Sequence, residues 1–215
     1  ITSNGVIQFS PANTAAGFDT PDVDPHELYF RTSPTDTLQG EVLADLIVTD
    51  GNENVVIMAR QDFYGQGLAE RAKEVLEEKG ATVPEMILYA ADAQTFTAEV
   101  NQLAAAKPDA VVLIAFSETE KIVPELTAKG IGPQDVQLYF TDGNLSSYKG
   151  ADFDLTGTKG TAPSPATPDK AFSARLQTQV PPPDVEELKK ELEEIAGKKD
   201  GAIRDQDFER AAELR

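Results

Sequence analysis

From residue 33 onward the chain alternates stretches of helical and strand-like hydrophobic spacing. Residues 35–50 place Leu43, Ala44, Leu46 and Ile47 on one helical face, and residues 54–59 form an apolar run typical of a buried strand. Residues 68–79 predict the next helix, with Gly80 as its terminator. A strand over 83–89 precedes a helix over 95–106, which spaces Phe96, Val100, Leu103 and Ala104 along one side. Residues 110–116 are the most apolar run and predict a central strand covered on both faces. A helix over 118–129, closed by Gly130, and a strand over 136–140 complete the series. This alternation predicts an α/β fold, a doubly wound parallel sheet with helices on both faces. Residues 55–59 and 111–115 should be parallel neighbours in that sheet.

The flanks follow other rules. Residues 5–9 suggest a short strand, followed by a polar turn and a loop rich in Pro and Asp up to about residue 30. After Gly143 the pattern loosens into a short strand over 158–161, a Pro/Ser/Thr-rich stretch and a short helix over 169–178. Three consecutive prolines at 181–183 then punctuate the chain. Beyond them Val185, Leu188, Leu192 and Ile195 keep helical spacing, Gly197 and Gly201 interrupt it, and Phe208, Ala211 and Ala212 resume it. The predicted organisation is residues 1–32 as a partial segment and crossover, 33–143 as the α/β lobe, 144–180 as a return segment and linker, and 181–215 as a helical hairpin.

Composition narrows the function. The 215 residues hold 37 acids and 19 bases, a net charge of −18, which opposes nucleic-acid backbones and anionic membrane surfaces. Cysteine is absent and His26 is the single histidine, so thiolate chemistry and multi-histidine metal sites are excluded. There is no run of about 18 apolar residues to suggest a transmembrane helix. The opening Ile-Thr-Ser-Asn lacks a charged signal-peptide n-region, as a processed exported chain also would.

Four places carry candidate chemistry. Ser10-Pro-Ala12-Asn-Thr14 follows a strand end, where backbone N–H groups and the Thr14 hydroxyl could meet an anion; the alternative is an ordinary polar turn. Tyr64-Gly65 stands between a strand and a helix, an exposed aromatic on a glycine-flanked turn, and offers a flat wall and one hydroxyl; the alternative is a tyrosine packed beneath its own helix. Gly65-Gln-Gly67 lacks the third glycine of a dinucleotide loop, and Glu70 at that position would repel a pyrophosphate. Phe116 at the end of the central strand is either a ligand wall or core. Asp142-Gly143 is either a ligand-facing carboxylate or a turn. Paired acids such as Glu118/Glu120 and Glu77/Glu78 read as solvated helix faces, His26 as a loop residue, and nothing specifies an enzyme or a cofactor.

Taken together, the Ser10–Thr14 turn, Arg60-Gln-Asp-Phe-Tyr64-Gly65, Phe140-Thr-Asp142-Gly143 and the crossover-like 29–40 resemble the second lobe of type I periplasmic binding proteins, the branched-chain amino-acid receptors of ABC transporters. The resemblance implies a solute-binding module for an amino acid or similar small zwitterion, outside the cytoplasm, with a membrane permease as partner. By the same resemblance Ala12 (backbone) and Thr14 (side chain) hold the ligand carboxylate, Tyr64 and Phe116 wall it, and Asp142 takes its ammonium. Many of those receptors carry glutamate at that last position; aspartate brings the amine closer or bridges it by water. Residues 182–215, with Gln206-Asp207-Phe208-Glu-Arg-Ala211-Ala212, resemble the UVR motif of Clp-family ATPases, a protein-interaction element of cytosolic proteins. The two resemblances together imply a truncated or chimeric chain, prone to self-association and weak in ligand binding. An interaction adaptor working through the tail, and a sensor domain of the same fold, are the other functions this sequence allows.

Overall fold

The computed structural model describes residues 1–145, 148 and 151–163. The helix over 169–178 and the UVR-like hairpin over 181–215 lie outside the described residues. Within Ile1–Ser164, a single compact unit, the main sheet has five parallel strands: β3 (Val55–Arg60), β4 (Met86–Tyr89), β5 (Ala110–Ile114), β6 (Gln137–Phe140) and β7 (Lys159–Gly160). They lie in the order β4-β3-β5-β6-β7. Val56 pairs with Val111 and Met58 with Leu113, so the two most apolar runs are parallel neighbours as expected. β7 comes from the stretch read as the return segment. A separate pair, β1 (Gln8–Ser10) and β2 (Tyr29–Arg31), is also parallel.

Why these strands sit centrally follows from their side chains. β3 and β5 are apolar on both faces because helices cover both faces. Leu43 and Ile47 of α1 (Asp36–Thr49) and Leu68, Ala72 and Leu76 of α2 (Phe63–Glu78) bury Val55, Ile57, Val112 and Tyr139. On the other face, Val100 and Leu103 of α3 (Thr97–Ala105) and Ile122 and Leu126 of α4 (Thr119–Ala128) bury Val56, Met58, Val111 and Leu138. Alternate residues of each strand go to opposite cores, the period of two that a pleated strand imposes.

Three local expectations need correction. The first strand begins at Gln8, because Thr2–Asn4 close a 3₁₀ turn that ends in left-handed Gly5 (φ 74°). The fourth shrinks to Met86–Tyr89: Pro84 has no N–H to give a ladder, and Asn54 meets Thr82 only as an isolated bridge. The helix expected from residue 68 starts at Phe63. There the Asp62 side chain accepts the Gly65 N–H at 2.8 Å and caps the first turn. Tyr64 is therefore a half-buried first-turn residue, not an exposed aromatic on a turn.

The sheet order reverses between β3 and β5, since β3 leads outward to β4 whereas the chain then returns to β5 on the other side. At such a switch point the loops at the carboxyl ends of neighbouring strands part and leave a crevice.

Candidate functional site

All five residues singled out from the sequence line one cavity of about 370 Å³ at those carboxyl ends. Ala12 and Thr14 follow β1, Tyr64 follows β3, Phe116 follows β5 and Asp142 follows β6. Phe116 lies two residues beyond its strand, and Asp142 opens a 3₁₀ turn, Asp142–Asn144. That turn is held by a capping box, with the Asn144 carboxamide oxygen accepting the Thr141 N–H at 2.8 Å.

The turn after β1 is rigidly built. The Ser10 hydroxyl accepts the Asn13 N–H at 2.9 Å, Ser33 Oγ donates to the Asn13 carbonyl at 2.7 Å, and Arg31 donates to the Ala15 carbonyl at 2.8 Å. The Ala12 N–H has only a long 3.3 Å contact with the same Ser10 oxygen, and Ala12 is exposed. It can therefore turn to a ligand oxygen at little cost.

Opposite the turn, Tyr64 is the hub. Its hydroxyl donates to Asp142 Oδ1 at 2.7 Å, accepts the Gly143 N–H at 3.0 Å and lies 2.9 Å from Thr141 Oγ1. Burial and the facing Asp142 carboxylate push its phenol well above the usual range, so it stays a neutral donor. The Gln39 amide also donates to Asp142 Oδ1, at 3.0 Å, and to the Thr161 carbonyl at 3.0 Å. Oδ2 accepts no hydrogen bond from any described residue. Asp142 thus lines the cavity with Oδ1 fixed and with no described residue bonded to Oδ2.

Phe116 is locked from behind. Its ring lies 5.2 Å from the Tyr64 ring, and the Arg60 guanidinium sits 5.3 Å from its centroid on a cation–π contact. Arg60 is itself paired with Asp62 at 2.7 Å and with Glu118. Glu118 is therefore not a solvated helix face. Its side chain is only 11 % exposed, and it also accepts the Phe116 N–H at 3.0 Å. His26 is an exposed loop residue, as read.

Sequence reasoning missed three contributors. Phe18 and Phe63 line the same cavity. Phe63 stands beside Tyr64 in the quoted motif, and that adjacency was the available signal. Asp36 lies beneath, 1 % exposed, with neither carboxylate oxygen at good hydrogen-bond geometry to a donor. Burial raises its pKa to about 6; the Thr14 hydroxyl and Arg31 oppose that rise, and the like charge of Asp142 adds to it.

Because the folded value of Asp36 exceeds the ordinary one, the folded state keeps a proton that the unfolded chain has lost. Stability therefore falls as pH rises from about 4 to about 6 and stays lower above that. Asp36→Asn is expected to leave stability nearly unchanged near pH 4 and to raise it by about 1–2 kcal/mol near pH 8. The helix-dipole interaction of a charged first-turn carboxylate trims the gain. Urea unfolding midpoints at the two pH values check this; an equal effect at both would refute it.

The periplasmic binding protein family model matches residues 1–189, and the chain belongs to that family. Over 93 residues it is 34 % identical to the uncharacterized protein MJ1266 of Methanocaldococcus jannaschii, covering 41 % of this chain and 22 % of that protein. Among solved structures it is similar to an extracellular ligand-binding receptor from Rhodopseudomonas palustris HaA2, with a TM-score of 0.59, 22 % identity, and coverage of 66 % of this chain and 38 % of that one. It is also similar to a leucine binding protein, LivK, from Thermotoga maritima MSB8 (0.55, 22 %, 66 % and 39 %). A third is an ABC-transporter solute binding protein from R. palustris in complex with 4-hydroxybenzoate (0.58, 16 %, 66 % and 38 %). The chain thus spans about two fifths or less of the length of these relatives.

Proposed function

We propose that residues 1–163 carry the ligand-gripping surface of a solute-binding protein of the ABC-transporter type, and that its solute is an amino acid or similar small zwitterion. It would work outside the cytoplasm and deliver to a membrane permease. The observation that carries the ammonium end is Asp142, whose Oδ1 is fixed by Tyr64 and Gln39 while Oδ2 takes no bond from a described residue. A carboxylate held this way offers a cation a charge-assisted bond with no reorganisation. The carboxylate end falls to the Ala12 N–H and Thr14, on the turn braced by Ser10, Ser33 and Arg31. Leucine and 4-hydroxybenzoate, named for two relatives, both bear a carboxylate. Only the former has an ammonium to satisfy Asp142.

Calorimetry with one amino acid, its decarboxylated amine and its deaminated acid tests the assignment. The zwitterion is expected to bind at least about tenfold more tightly than either truncated form, since each leaves one charged partner unmet. Equal binding of the deaminated acid would remove the ammonium site.

A further inference from the structure

The proposed zwitterion site gives no role to two of the rings that line its cavity, Phe18 and Phe63. Phe63 is 59 % exposed and Phe116 41 % exposed, yet both line the cavity, as does Phe18. None of the three belongs to either hydrophobic core, so burial does not account for them. With Tyr64 they form two braced aromatic pairs. Phe18 and Phe63 meet edge-on at 5.7 Å, with Gly17 so close that a β-carbon there would lie 3.6 Å from the Phe63 ring. Tyr64 and Phe116 meet at 5.2 Å with Arg60 behind. Phe63 and Tyr64 are consecutive at the start of α2, so one helix end supplies a ring to each pair.

We infer that the preferred ligand is an amino acid whose side chain is a planar ring, and that Phe18 and Phe63 are the specificity-determining residues that select it. The inference rests on the zwitterion reading above. The reasoning is one of surface chemistry. Held rings open to a cavity gain most from a ligand that presents a ring face or edge to them, because aromatic pairing adds to simple apolar contact. An aliphatic side chain of similar bulk recovers only the contact. The Asp142 carboxylate excludes the simpler solution, an aromatic acid without an amine, since its cavity-side charge would then stay unpaired.

The test uses the whole 215-residue chain with L-phenylalanine, L-leucine, L-alanine and benzoate, read by calorimetry and by saturation-transfer NMR, which detects weak binding. Phenylalanine is expected to bind about tenfold more tightly than leucine, with its ring protons receiving the strongest transfer. Phe63→Leu and Phe18→Leu keep apolar bulk without the ring. Each should shrink the phenylalanine/leucine ratio severalfold and weaken phenylalanine more than alanine. A ratio near one in the parent chain, or a ratio unmoved in both variants, overturns the inference. If leucine and phenylalanine bind equally and Asp142→Asn weakens both, the zwitterion reading stands and this one falls. Benzoate binding as tightly as phenylalanine overturns both, since neither an ammonium partner nor an amino-acid ligand would then be required. No binding by any of the four overturns both.

Discussion

Replacing Gly65 with alanine should destabilise the fold by about 3 kcal/mol, although the same change elsewhere in the helix should stabilise it. A β-carbon at Gly65 would lie 2.1 Å from the Arg60 carbonyl oxygen and 2.9 Å from its carbon, backbone atoms that cannot swing aside. Gly67, also in α2, has nothing within 4 Å of the equivalent position. There alanine brings only its better helix propensity, a gain of up to about 1 kcal/mol. The contrast isolates the close approach of α2 to the end of β3, which holds Asp62 in its capping role and aims Tyr64 at Asp142. Urea unfolding midpoints of the two variants should move in opposite directions. A Gly65→Ala protein as stable as its parent would refute the packing argument.

In a protein that carries both lobes, Asp142→Ala is expected to weaken the zwitterionic ligand by about 2–5 kcal/mol, because the ammonium loses a desolvated charged partner and Tyr64 and Gln39 lose a shared acceptor. Asp142→Asn separates those contributions. Its carboxamide oxygen can still accept from Tyr64 and Gln39, so the local network should survive while the charge does not. Thermal unfolding should then show the asparagine variant closer to the parent than the alanine variant, with ligand affinity reduced in both. Affinity unchanged in the asparagine variant would strip the ammonium role from this position.

Much of the architecture was legible because burial on both faces leaves an unmistakable trace. The runs at 55–59 and 110–114 could satisfy their apolar residues only between two helical layers, and they pair as read. The start of α2 was hidden for a physical reason. Gly65 suggests a turn, whereas here it marks a close contact with Arg60, and the capping bond from Asp62 extends the helix back to Phe63. Tyr64, Phe116 and Asp142 come together because the strand ends of one parallel sheet share an edge, whereas Ala12 and Thr14 reach the cavity from β1 of the separate pair and were named through the resemblance. The Arg60–Glu118 pair, 58 residues apart, and the buried carboxylate of Asp36 left no local pattern. Glu118 looked like any helix-surface acid until the fold brought a guanidinium to it.

The tyrosines of this chain have a consequence for how it reports its own condition. With no tryptophan in the sequence, tyrosine dominates its near-ultraviolet absorbance. Tyr89 and Tyr139 are fully buried on opposite faces of the sheet, and Tyr64 is tied into the Asp142 network. All three phenols are held above their ordinary range, chiefly by burial, with Asp142, Glu118 and Asp50 adding opposing charge near Tyr64, Tyr89 and Tyr139 respectively. Above about pH 10 the folded chain keeps protons that an unfolded one would release, so its stability drains as alkali rises. For these three rings, phenolate absorbance therefore signals a sheet that has already come open, and their share of the ultraviolet change in an alkaline titration becomes a gauge of unfolding.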